Sequence, residues 1–250
     1  MGYPYSMRAP DGPILGLVAL QTDQTIEGDL RRMFPIEAEF YVSRVPSGAE
    51  VSSDMLAEME GHLGQAAALL PPQVGYDVVG YGCTSGTAQI GADAIARQVC
   101  SGARARAVTE PVSALVAACR SLSIRRLAIL SPYVSEVSAR LRMVLQAEGV
   151  ETPVFGSFDE AEEARVVRID EASIVAAMRD LMAGADVDGC FLSCTNLRTL
   201  GVVAPLEAEF DIPVLSSNLV LGWHMAALAG LDLAPDAPGR LVRDARLPQP

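Results

Sequence analysis

Tyr76-Asp-Val-Val-Gly-Tyr-Gly-Cys83-Thr84-Ser85-Gly86 is an apolar run that ends in a glycine, a cysteine and two hydroxyl residues. Asp186-Val-Asp-Gly-Cys-Phe-Leu-Ser-Cys194-Thr195-Asn196 repeats the pattern 111 positions later. The same offset carries Leu15–Arg31 onto Arg126–Arg142, so that Leu17-Val18-Ala19 falls on Ala128-Ile129-Leu130, Thr22 on Tyr133 and Arg31 on Arg142. Self-similarity at a fixed offset predicts two copies of one structural unit. Each copy ends a strand in a cysteine, so two thiols are expected to face one site.

Around these runs, Ile14–Leu20, Ala38–Val45 and Val74–Tyr81 read as strands. Glu27–Met33, Met55–Leu70 and Thr87–Val99 have helical periodicity. The second half continues with a helix over Val108–Arg120, a strand at Leu127–Leu130 and a helix over Ser135–Glu148. A strand at Thr152–Gly156, a helix over Ala172–Ala183 and a strand at Gly189–Ser193 follow. A helix over Arg198–Phe210, a strand at Ile212–Ser216 and a helix over Leu219–Gly230 complete it. The alternation predicts an α/β fold with two pseudo-symmetric parallel-sheet halves and the site in the cleft between them. Residues 1–117 together with 218–250 form the expected first half, carrying Cys83; residues 118–217 form the second, carrying Cys194. Residues 1–12 read as a loose leader and 234–250 as a tail wrapped on the surface.

The 250 residues are 50% apolar and 20% charged, as in ordinary globular chains. A net charge of -12 argues against nucleic acid or an anionic membrane as partner. All 19 basic residues are arginines, which excludes Schiff-base chemistry, a lysine-anchored pyridoxal phosphate and a P-loop lysine. Five cysteines, an odd number, suggest no disulfide framework and point to a reducing cytoplasm. With only His62 and His224, no zinc pattern emerges. No signal peptide or membrane span is legible. A homo-oligomer is compatible with the apolar content.

A cysteine between a strand end and a helix start lies beside free backbone N–H groups and the positive end of the helix dipole. Both favour the thiolate and are expected to lower the thiol pKa. Thr84, Ser85, Thr195 and Asn196 would cradle a carboxylate, and the same donors would stabilise the enediolate formed on losing an α-proton. One thiolate would take that proton and the opposite thiol return one. Alternatively, one thiolate would add to an activated double bond, with rotation and elimination following. Tyr133, after Ser131-Pro132 at a strand end, is placed to donate to a substrate carboxylate; Thr22 occupies the matching position. Cys100, Cys119 and Cys190 read as inert buried thiols, His224 as helix packing and His62 as an exposed helix residue.

At Gly82-Cys83-Thr84-Ser85, Ser131-Pro132-Tyr133, Ser193-Cys194-Thr195-Asn196 and Ser216-Ser217-Asn218, the chain resembles the aspartate/glutamate racemase superfamily. The branch is that of maleate cis-trans isomerases, arylmalonate decarboxylases and the racemase-like proteins of ectoine utilisation. The resemblance runs from Gly16 to His224. It implies two similar α/β halves, a site between them, no cofactor and no metal, and a small carboxylate or amino-acid substrate. Decarboxylases of the branch resemble the chain at Cys194 but lack a cysteine matching Cys83, so the pair favours isomerase or racemase over decarboxylase. For the maleate isomerases, the resemblance implies Cys83 as nucleophile, Cys194 as acid and Tyr133 as carboxylate-binding. Two departures stand out. Where those isomerases place asparagines, this chain has Thr22-Asp23 and Glu162-Glu163-Ala164. Asp23 and Glu163 in the cleft would repel a second carboxylate and welcome an ammonium. The resulting expectation is a cofactor-independent racemase or isomerase of a small amino or dicarboxylic acid. Maleate isomerisation, arylmalonate-type decarboxylation and a non-catalytic ligand-binding role are the alternatives.

Overall fold

The computed structural model describes residues 2–7 and 12–245. The expected leader falls partly, and the end of the expected tail wholly, outside the described residues. The first half runs β1 (Ile14–Leu20), α1 (Ile26–Met33), β2 (Glu39–Val45), α2 (Ser53–Ala67), β3 (Tyr76–Gly82), α3 (Thr84–Ile90), α4 (Ala92–Gly102), β4 (Ala105–Thr109) and α5 (Pro111–Ser121). The chain continues with β5 (Arg126–Ser131), α6 (Ser135–Ala147), β6 (Glu151–Ser157), α7 (Glu163–Val166), α8 (Glu171–Met182), β7 (Gly189–Leu192), α9 (Val203–Phe210), β8 (Val214–Ser216), α10 (Ser217–Ala229) and α11 (Arg240–Asp244).

Two parallel sheets result, with strand orders β2-β1-β3-β4 and β6-β5-β7-β8. The orders are the same with β1 replaced by β5, so the repeat in sequence is a repeat in topology. The central strands are mostly apolar and almost wholly buried, because helices cover each side. In each sheet the cysteine follows the strand beside the one that is first in chain order: Cys83 after β3, Cys194 after β7. Helix α10 follows the last strand of the second sheet yet packs against β3, α5 and α1 of the first. Its Gly222 lies against Leu30 and Met33, and its Met225 against Gly80. Its first residues, Ser217 and Asn218, therefore sit where the two sheets meet.

Some elements differ from the sequence expectation. Val108 and Thr109 belong not to a helix but to β4, an edge strand paired with β3 through Val79↔Val108 and Gly80↔Thr109. The helix begins at Pro111, after Glu110 caps it by accepting from Val112 N at 2.7 Å and Ser113 N at 3.1 Å. The continuous helix α5 passes through position 117. The single helix expected over Thr87–Val99 is two helices, α3 and α4. They are separated at Gly91, whose φ of 92° and ψ of 145° lie where side-chain-bearing residues are strained. Likewise, the helix expected from Arg198 begins only at Val203; the turns before it carry Asn196 to the site. Gly91→Ala is expected to cost about 1–3 kcal/mol of stability, because space is open at its Cβ and only the backbone opposes it. Urea unfolding of that variant checks this; an unchanged midpoint would refute the strain.

Candidate active site

Cys83 ends β3 and caps α3: its Sγ accepts from Gly86 N at 3.1 Å. Thr84 donates its hydroxyl proton to Ser217 Oγ at 2.7 Å, and Ser85 is buried beside it. Cys83 itself is only 5% exposed. Burial pushes its thiol up to about 12, and the charge of Glu163 adds to this; Gly86 N–H and Tyr81 pull the other way and lose. The expectation of a lowered thiol pKa at this strand–helix junction is thus overturned. The local amide has the predicted sign, but desolvation outweighs it.

On the second side, Cys194 is 3% exposed and is raised well above the ordinary thiol range, first by burial and then by Glu163. Its φ of 112° is unusual for a residue with a side chain. Three hydrogen bonds fix that conformation: Ser193 N to Leu130 O at 2.8 Å, Cys194 N to Ser217 Oγ at 2.9 Å and Asn196 N to Cys194 Sγ at 3.2 Å. Tyr133 Oη lies 2.9 Å from Cys194 Sγ and donates to Glu163 Oε1 at 2.6 Å. With the tyrosine proton spent on Glu163, the thiol proton is the one that bridges Cys194 and Tyr133.

Asn196 completes this set. Its Oδ1 accepts from Gln24 N at 2.9 Å, which orients the amide so that Nδ2 donates to Glu163 Oε2 at 2.6 Å. Glu163 is 3% exposed, and burial raises its pKa against both donors. Asp23, also 3% exposed, caps α1 through Oδ1, which accepts from Thr25 N at 2.8 Å and Ile26 N at 2.9 Å. Its Oδ2 is buried without a hydrogen-bond partner. Burial raises the Asp23 pKa, and its charge is felt at Cys83, Cys194 and Glu163 alike.

Of the residues singled out from sequence, the structure gathers Cys194, Tyr133, Glu163 and Asn196 into one hydrogen-bonded set. Cys83, Thr84 and Ser85 lie across from it. Thr195 spans the two: its hydroxyl donates to Gly82 O at 3.2 Å and its carbonyl accepts from Thr25 Oγ1 and from Asn218 Nδ2 at 2.9 Å. Thr22 stands apart, its side chain 3.1 Å from Ser47 Oγ. Ser217, which joins Thr84 to Cys194 N, and Asn218, which also donates to Asp29 at 2.8 Å, entered the sequence reading only within the Ser216-Ser217-Asn218 resemblance and were given no site role there. The hydroxyl-rich run at the last strand end was the available signal. Cys119 and Cys190 are buried, but Cys100 lies on the solvent face of α4, a correction to its expected burial. His224 bonds Thr109 Oγ1 at 2.7 Å and stacks on Trp223, and burial lowers its pKa to about 4.

A short pairing closes the halves beside Glu163. Val51 N donates to Ala161 O at 3.1 Å and Glu163 N to Ala49 O at 3.0 Å, around an antiparallel bridge between Glu50 and Glu162. A cavity of about 600 Å³ lies elsewhere, lined by Arg97, Glu110, Arg120 and Arg140 and by neither thiol. Among the described residues no group of three or more His, Cys, Asp or Glu side chains is arranged to hold a metal ion. No described helix is long and apolar enough to cross a membrane.

The family model for arylmalonate decarboxylase matches residues 55–242. The chain belongs to that family. It is similar to a maleate isomerase of Nocardia farcinica, with 30% identity over 151 residues, 60% of each chain. It is also similar to the arylmalonate decarboxylase of Bordetella bronchiseptica, with 32% identity over 112 residues, 44% of this chain and 47% of that one. The chain thus matches less than two thirds of the length of either relative in sequence. In structure the likeness is wider. The N. farcinica maleate cis-trans isomerase, solved as a cysteine-to-serine variant with a covalently bound succinylcysteine intermediate, superposes with a TM-score of 0.81. That match has 25% identity and covers 94% of this chain and 99% of the other.

Two expectations follow from the geometry. Iodoacetamide at pH 8 should alkylate exposed Cys100 first and the buried Cys83 and Cys194, whose thiolates are disfavoured, far more slowly in the unliganded protein. Peptide mass spectrometry over time would reveal the opposite order if the buried thiols were ionised. Separately, Cys194→Gly should be more stable than Cys194→Ala by about 1 kcal/mol, since glycine relieves the positive φ. Equal melting temperatures would argue against that strain.

Proposed function

We propose that the chain is a cofactor-independent isomerase of small carboxylic acids that moves a proton between the two faces of a substrate α-carbon. Cys83 and Cys194 are the reacting groups. The observation that carries this reading is the placement of two repeat-related thiols at equivalent strand ends, linked across the sheet interface by Thr84, Ser217 and Thr195. Each thiol has an amide and a tyrosine that favour its thiolate, but at Cys194 the tyrosine already donates to Glu163, so Cys83 is the easier to ionise. Cys194 is held as a thiol by burial and by Glu163, to which its neighbour Tyr133 has committed its proton. Cys83 is therefore assigned as base and Cys194 as acid.

In one direction the Cys83 thiolate takes the α-proton, forming S–H as the C–H bond breaks and its electron pair passes into the carboxylate. The Cys194 S–H bond then breaks as the new C–H bond forms on the opposite face, leaving Cys194 as thiolate. Exchange with solvent restores the starting protonation. The Thr84 and Thr195 hydroxyls and Asn196 Nδ2 are already engaged, so the backbone N–H groups of Thr84, Ser85 and Thr195 and the Ser85 hydroxyl are assigned to the substrate carboxylate, whose growing charge they would offset. A second reading, cis-trans isomerisation of maleate with Cys83 as nucleophile and Cys194 as acid, is favoured by the succinylcysteine seen in the N. farcinica relative.

Proton NMR in deuterated buffer separates these readings. A substrate α-proton should exchange in the wild type. Cys83→Ala and Cys194→Ala should each lose at least about a thousand-fold in rate, and Tyr133→Phe about ten- to hundred-fold. Undiminished exchange in either cysteine variant would sink the two-thiol mechanism, and maleate-to-fumarate conversion would select the second reading.

A further inference from the structure

We infer that the substrate carries an ammonium group, bound between the carboxylates of Glu163 and Asp23, and that a dicarboxylate is not the preferred ligand of this site. The inference rests on the two-thiol reading and specifies its substrate class. Glu163 and Asp23 are each 3% exposed and reach one another and both thiols electrostatically. Among the described residues, no arginine or histidine side chain is hydrogen-bonded or ion-paired to either carboxylate. Arg44, the nearest cation to Asp23, spends Nη1 on the backbone carbonyls of Leu20 and Asp23 and pairs with Glu27 outside the site.

Two buried carboxylates without a protein counter-charge are costly to keep and readily satisfied by a cation. Asp23 Oδ2 supplies the more specific evidence, as a buried acceptor with no donor. The Thr195 hydroxyl lies close enough to Asp23 to lower its pKa, but its one proton is directed at Gly82 O, 3.2 Å away, and Oδ2 is left without a donor of hydrogen-bond geometry. Glu163 is no neutral stand-in for an amide at Oε2. The Asn196 amide, oriented by Gln24 N, faces that oxygen with a donor. An ammonium group has three donors and a positive charge, and so meets both needs at once. A maleate-like dianion would add two negative charges to a site that already holds two acids.

The same geometry would couple binding to activation. Glu163 and Asp23 help to keep both thiols protonated. A cation between the acids offsets that field and makes a thiolate easier to form. A dicarboxylate would do the reverse.

The test uses three four-carbon probes that differ in charge placement: 2-aminobutyrate, 4-aminobutyrate and maleate. Binding to the full-length chain is measured by calorimetry for the wild type, for Glu163→Gln, for Asp23→Asn and for a Cys83→Ser/Cys194→Ser variant. Asp23→Asn keeps a capping oxygen for α1, and Glu163→Gln is isosteric. At least one aminobutyrate is expected to bind about ten-fold or more tightly than maleate to the wild type and to the cysteine variant. Glu163→Gln should remove most of that preference and improve maleate binding, and Asp23→Asn should act in the same direction. Equal or tighter binding of maleate by the wild type, no cation-dependent binding at all, or a preference unchanged in Glu163→Gln would each overturn the inference. Failure of the two-thiol chemistry alone would leave the preference intact while α-proton exchange survives in the cysteine variants.

Discussion

The hydroxyl of Ser217 accepts two hydrogen bonds, one from the Thr84 side chain beside the first cysteine and one from the backbone of the second, Cys194. No element of either sheet could make that connection alone. Helix α10 must leave β8 in one sheet and pack on β3 in the other to bring Ser217 there. Once it does, the two strand ends are held at a fixed separation, and the positive φ of Cys194 becomes tolerable because its neighbours are already pinned. The buried face of α10, with Gly222 closely seated on Leu30 and Met33, is accordingly as much a part of the site as the thiols.

The sheet architecture is legible from the sequence because parallel strands buried on both faces must be uninterrupted apolar runs. Ile14–Leu20 is such a run, and so is Val78–Gly82 after Asp77 at the start of its strand. Their shared offset to the second half makes the repeat visible in one dimension. Edge strand β4 is not legible in this way. Ala105–Thr109 is half-exposed, short and interrupted by an arginine, so Pro111 and the helix after it dominate the local pattern. Gly91 hides the break between α3 and α4 for the opposite reason: isolated glycines are common within helical patterns, and only the backbone angle reveals its role.

The gathering of the site was partly visible. Cys194, Tyr133 and Asn196 announce themselves by type and by position at strand ends. Glu163 and Asp23 could be noticed only as acids in regions of interest, since nothing along the chain brings residue 163 to residue 133. The protonation of the thiols was not visible at all. A strand–helix junction predicts stabilised thiolates, and the local hydrogen bond from Gly86 has that sense. Burial is a property of the whole fold, and it reverses the outcome.

The two thiols, though related by the repeat, do not have equivalent surroundings: each has an amide and a tyrosine beside it, but only at Cys194 is that tyrosine already committed to a carboxylate. Interconversion of mirror images has an equilibrium constant of one, whatever the catalyst. An enzyme built on this pair would therefore have equal kcat/KM in the two directions. Its individual kcat and KM values would differ by a common factor, because each enantiomer meets a different resting protonation state. A symmetric fold would then carry an asymmetric catalytic cycle, with the bias residing in the protein alone.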